Sequence, residues 1–178
     1  MNSNNQNKQS MNFSEKIKFK NGAVSGAFIT VNDEPVKIKL CNIVAPLGIS
    51  HFNNKTSILL NLNESHDISQ IEDIQAGVSC NDEWSNYNFN PLIKCSDKYG
   101  SQIKANVTPE TSFFDNDGQH SSQDILKSRC EVSILLQANM VWFRGKDSGV
   151  SLKILQIKHI RNIDTAVAHA LETQDCSL

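Results

Sequence analysis

From Cys130 onward, every even position through Trp142 is apolar while the odd positions are mostly polar, and no other feature limits the possible fold as much. Even positions carry Cys130, Val132, Ile134, Leu136, Ala138, Met140 and Trp142, while odd positions carry Glu131, Ser133, Leu135, Gln137, Asn139, Val141 and Phe143. A period of two over this length predicts one long, half-buried strand with its even face inward. Arg144-Gly-Lys-Asp-Ser-Gly149 supplies a glycine-bounded turn, and Val150 to Arg161 supplies a partner strand of similar length. In that partner the apolar parity switches, with Val150, Leu152 and Ile154 even but Leu155 and Ile157 odd. A bulge near Ile154 and Leu155 accounts for the switch, and bulges bend long strands around small barrels.

Upstream, short alternating runs are separated by turn residues. Lys16 to Phe19, Ala23 to Val31 and Val36 to Leu40 are divided by Asn21-Gly22 and by Asn32-Asp33-Glu34-Pro35, the punctuation of consecutive hairpins. Ala45-Pro-Leu-Gly-Ile-Ser50 breaks the pattern before another strand over Thr56 to Leu62. Ile68, Ile71, Ile74 and Val78 then lie three or four apart, which predicts a packing helix over 68–76, capped by Asp67 or Ser69 and ending near Gly77. Cys80 to Asn90 reads as a loop holding Trp84, Tyr87 and Phe89. Pro91 to Cys95 and Gln102 to Val107 read as a hairpin around a Gly-terminated loop, with Lys94 and Lys104 on one sheet face and Lys98 and Tyr99 at the tip. Phe113-Phe-Asp-Asn-Asp-Gly118 lacks the later oxygen ligands of a calcium loop and reads as a turn closed by Asp117-Gly118.

A chain of 178 residues fits a single domain. We expect a disordered Asn/Gln/Ser-rich leader at 1–12, one β domain at 13–163, and a short helix with a polar tail at 164–178. The fold class expected is mostly β, a small β-barrel with one or two short helices. The apolar runs are far shorter than the roughly 20 residues of a membrane span, and the start does not resemble a signal peptide, so the expected setting is intracellular and soluble. Five cysteines at wide spacing, with no C-x-x-C pair, read as reduced thiols.

The net charge of −2 provides no bulk attraction for a polyanion, but its distribution is uneven. Residues 1–91 hold seven lysines against nine acids, 92–161 hold ten lysines and arginines against seven acids, and 162–178 hold three acids and no base. The basic excess therefore coincides with the most regular region. No nucleophile and base group together, the five histidines are scattered, and no glycine-rich phosphate loop is present, so the sequence implies neither catalysis nor a cofactor or metal.

What remains is a β scaffold with cations and rings interleaved, the combination that tracks phosphates and stacks unpaired bases. By the strand parity, Phe143 faces outward beside Arg144, Lys146, Lys153, Lys158 and Arg161, whereas Trp142 lies on the apolar face, where core packing is its default role. Tyr99 and Lys98, above Lys94 and Lys104, form a second candidate patch.

The stretch from Pro91 resembles the small single-stranded DNA-binding proteins of large double-stranded DNA viruses and, more distantly, those of T7-like phages. The resemblance rests on Pro91-Leu-Ile-Lys94, Asp97-Lys-Tyr-Gly100, Phe114-Asp-Asn-Asp-Gly118 and above all Val141-Trp-Phe-Arg-Gly-Lys-Asp-Ser-Gly-Val-Ser-Leu-Lys-Ile-Leu-Gln-Ile-Lys158, with Ala45-Pro-Leu-Gly48 as an early turn. It spans roughly 35–161. It implies an OB barrel that coats single-stranded DNA without strong sequence preference during viral replication, recombination or repair. It also implies replication or recombination proteins as partners, allows a homodimer, and requires no cofactor. Two departures stand out: the tail is only weakly acidic, and the whole chain is slightly negative. The competing expectation is a structural or scaffolding protein, such as a virion component, that uses the same barrel for protein association.

Overall fold

The long alternating strand and its partner form as expected. In a computed structural model, which describes residues 11–19, 24–62, 65–97 and 100–163, these two strands are the spine of the sheet. Along the chain the strands are β1 (Met11–Phe13), β2 (Ile17–Lys18), β3 (Ser25–Val31), β4 (Glu34–Ala45), β5 (Ile49–Phe52) and β6 (Lys55–Leu62). The helix α1 (Ser65–Ser79) follows, then β7 (Asn88–Asn90), β8 (Lys94–Ser96), β9 (Gly100–Val107), β10 (Ser112–Phe114), β11 (His120–Ser121), β12 (Cys130–Arg144) and β13 (Asp147–Asn162).

Five of these strands close on themselves. β12 pairs with β4, β4 with β6, β6 with β9, β9 with β13, and β13 with β12. Numbered by chain order within the ring, the spatial sequence is 1-2-3-5-4-1, a five-stranded, partly open barrel of the OB type. The even residues Val132, Ile134, Leu136 and Ala138 of β12 point inward against Ile38, Leu40 and Ile43 of β4, Ile58 and Leu60 of β6, Ile103 and Ala105 of β9, and Leu152 and Ile154 of β13.

Two joints of the ring are thin. β4 meets β6 through Val44 and Asn61, and β9 meets β13 through Asn106 and Lys153. Side chains reinforce the second joint: Asn106 Nδ2 donates to Ser151 Oγ at 3.1 Å, and the buried Thr111 hydroxyl donates to the Ile154 carbonyl at 2.8 Å.

The long pair bends at three bulges. Leu135 lies opposite Gln156 while Leu136 lies opposite Ile154, which leaves Leu155 as the extra residue at the expected place. A second bulge sets Ala138 opposite Leu152 and Met140 opposite Ser151, so Asn139 is extra on β12, and a third bulge makes Ile160 extra near the end. The Asn139 bulge was not anticipated, and it reverses the parity of everything that follows on β12. Both tight hairpins upstream use paired residues in the left-handed region, Asn32 and Asp33 (φ 52° and 64°) and Asn53 and Asn54 (φ 48° and 59°). Asparagine and aspartate tolerate this conformation, and two such residues match the twist of the flanking strands.

The helix is longer than the spacing predicts. Ile71, Ile74 and Val78 enter the core as expected, but α1 continues past Gly77 to Ser79. Gly77 serves as a contact point: a Cβ there would lie 3.0 Å from the Met11 methyl of β1. β1 begins at Met11, within the segment expected as a leader. Residues 1–10 and 164–178 lie outside the described residues, as does the turn expected at Asn21-Gly22.

Candidate nucleic-acid interface

In a five-stranded OB barrel, the outer face of the second and third strands carries the ligand. Here these are β6 and β9. Their inward residues are apolar, so the alternate positions face out: Leu59 and Asn61 from β6, and Gln102, Lys104 and Asn106 from β9, while Ser57 on the same side is buried against Ser50 of β5. Cross-strand register extends this face on both sides. Lys94 of β8 lies opposite Gln102, and Lys153 of β13 lies opposite Asn106. Gln102 Nε2 donates to Asn61 Oδ1 at 2.7 Å, which orients both amides on the surface.

Lys94, Lys104 and Lys153 therefore share one face, the first two as the alternation implied and the third only because the ring closes. They are not equivalent. Lys153 Nζ lies 2.9 Å from a Glu110 carboxylate oxygen. The bond from Lys153, with help from the Thr108 hydroxyl, holds the Glu110 carboxyl below its ordinary range. Lys94 and Lys104 are exposed and have no ion-pair partner among the described residues.

The two neighbouring rings exchange the roles expected of them. Phe143, expected outward as a stacking platform, is only 3% exposed. It packs against Trp84 (ring centroids 5.2 Å) and Tyr87 (4.8 Å), with Lys16 Nζ 4.5 Å above its centroid. The Asn139 bulge is the cause, because one extra residue turns every later side chain to the opposite face. Trp142, expected on the apolar face, consequently points outward. Its indole lies over Gly149, where a Cβ would sit 2.7 Å from Cζ2, and its other cross-strand neighbour is Gly26. The space above Gly26 is taken by Met140 and Phe19, and the half-buried indole connects through Met140 and Ser151 with Asn106 on the polar face.

The remaining sequence candidates are dispersed. Arg144 is exposed at the end of β12, and Lys146 in the β12–β13 turn. Lys158 lies further along β13, beyond the Leu155 bulge. Arg161 is bound to Glu131 at 2.6 Å and contributes little free charge. Lys98 and Tyr99 lie outside the described residues. The expected loop at 80–90 is largely structured: Trp84 is buried in a short 3-10 turn against Phe13, and β7 runs parallel to β13. Its aromatics seal one end of the core.

Two features were missed. Phe52, 74% exposed in the β5–β6 hairpin that precedes the second ring strand, occupies a loop position that OB barrels use for ligands. Asn53-Asn54 between alternating runs was the available signal. Lys37 and Lys39 project from the outer side of β4, and their alternation with Ile38 and Leu40 already showed it.

Among the described residues, no group of His, Cys, Asp or Glu could hold a metal ion, and no helix is long and apolar enough to cross a membrane. No protein-family model matches the chain, and no curated protein matches it. Solved structures do. The single-stranded DNA-binding protein of bacteriophage Enc34, in complex with single-stranded DNA, superposes with a TM-score of 0.54 at 14% identity, covering 77% of this chain and 91% of that one. Its C-terminal truncation gives 0.55 at 13%, covering 86% and 96%, and a further structure of it gives 0.52 at 16%, covering 89% and 99%. This chain shares the fold of that phage protein.

Proposed function

We propose that the chain binds single-stranded DNA without strong sequence preference, shielding it during viral replication, recombination or repair. The observation that carries this reading is the coincidence of two features on the outer face of β9, β6, β13 and β12. Lys94 and Lys104 stand there among amides and hydroxyls, and further along the same outer side the partly exposed Trp142 indole lies over Gly149. Cations that follow phosphates and rings that accept any base are what sequence-tolerant binding requires. The likeness of fold to the phage protein solved with single-stranded DNA supports the reading. The resemblance of residues 141–158 to the binding proteins of large DNA viruses also favours it, and makes replication or recombination proteins the candidate partners.

Titrating labelled oligo-dT at several salt concentrations, followed by fluorescence anisotropy, tests the proposal. Affinity should fall as salt rises, by about 0.7 log units per released contact for each tenfold increase. Absence of binding at low salt, or affinity indifferent to salt, rejects it. A second reading, self-association or scaffolding, draws on the apolar patch formed by Ile17, Phe19 and Phe28 on the outer side of β2 and β3. A monomer in sedimentation at high concentration would remove a homodimer.

A further inference from the structure

Beyond the OB face, the outer sides of β4, β12 and β13 form a cleft of about 620 Å³ that reaches the β10–β11 turn. Lys39, Cys41, Phe114, Ser133, Gln156 and Lys158 line it. β10 runs parallel to β13 in a register that sets Phe114 directly opposite Lys158. Phe114 is also braced by His120, ring centroids 4.6 Å apart. Neither Lys39 nor Lys158 has an ion-pair partner among the described residues. The nearby Asp115 turns a carboxylate oxygen onto the amides of Asp117 (3.1 Å) and Gln119 (2.8 Å), holding it in its own turn.

The cleft is continuous with the proposed interface. Lys153 lies opposite Gln137, which lies opposite Lys37, and Lys39 is two residues further along β4, about 7 Å away. Outward cations on β13 and β4, with Gln137 of β12 between them, therefore lead from the OB face to a pocket that offers two ammonium groups and a ring.

We propose that this cleft is a second contact site for the same DNA strand, with a phosphate between Lys39 and Lys158 and a base against Phe114. This inference rests on the single-strand reading and adds the direction in which the strand leaves the barrel face. It explains why Lys37 and Lys39 occur on β4, several residues from the Val44 bridge that joins β4 to the second ring strand. It also makes the binding site longer than the OB face alone.

Cys41, an exposed thiol in the cleft, reports occupancy, and Cys80 after α1 serves as an internal reference. The full chain is alkylated with N-ethylmaleimide, with and without a saturating thirty-nucleotide oligo-dT, and the modified peptides are quantified by mass spectrometry. The oligonucleotide should slow Cys41 about fivefold or more and leave Cys80 unchanged, the scale of one stacked base. Lys158→Glu should cancel that protection. If anisotropy shows binding while the unsubstituted protein's Cys41 reacts at its free rate, the cleft is off the strand's path and the single-strand reading survives. If the oligonucleotide does not bind at any salt concentration, both fail.

Discussion

Replacing Trp142 and Phe143 separately by alanine should produce opposite phenotypes, although the two residues are adjacent. Phe143 is sealed beneath Trp84 and Tyr87, so its removal opens a cavity that β12 cannot close without shifting its register. Truncations of this kind cost about 3–5 kcal/mol, a large part of the stability of a small domain. The folded fraction of Phe143→Ala should nevertheless bind oligo-dT normally. Trp142 rests on Gly149 at the surface, so Trp142→Ala should alter the urea midpoint only slightly. If a base stacks on the indole, its loss removes about 1–3 kcal/mol of binding, or roughly 5- to 150-fold in affinity. Urea denaturation measures the first effect and anisotropy the second. Parental affinity in Trp142→Ala would refute stacking on the indole, and parental stability in Phe143→Ala would refute the burial of that ring.

Lys104→Ala should weaken oligo-dT binding and reduce the slope of log affinity against log salt by about 0.7, as expected for one lost phosphate contact; an unchanged slope would exclude Lys104 from the interface. Thr111→Val should destabilise the fold by about 1–3 kcal/mol, because the Ile154 carbonyl at the thin β9–β13 joint loses its side-chain donor. A denaturation midpoint equal to the parent's would show that the joint does not depend on this bond. Burial pushes the Cys130 thiol up from 9.0 to about 11. Between those values the unfolded chain has lost the proton while the folded chain retains it, so stability should fall as pH rises from 9 to 11, by at most about 1.4 kcal/mol per unit. Chemical denaturation of Cys130→Ala over that range should show a shallower decline, and identical slopes would deny the thiol a role.

Much of the barrel was legible because its strands obey local rules. Alternation in Cys130–Ala138 and Gln102–Val107 selected the inward faces, and the parity switch at Ile154 and Leu155 located a bulge that is present. Lys94 and Lys104 fell on one face for the same reason. The exchange of Trp142 and Phe143 was not legible. After Ala138 the text reads Asn139, Met140, Val141, Trp142, Phe143, and four apolar residues of five fit either face equally well.

What decided between the faces is the register of β12 against β13, in which Met140 pairs with Ser151 and Asn139 is left unpaired. Such an offset depends on the opposite strand and on how far the barrel must bend, and neither is written in the residues that flip. The same holds for Lys153, which joins Lys104 only through the ring-closing bridge to Asn106. Residue order thus determined which segments become strands and which sides of most of them are greasy. Closure of the sheet decided which cations and which ring meet, because proximity across a barrel is a property of pairing between distant strands.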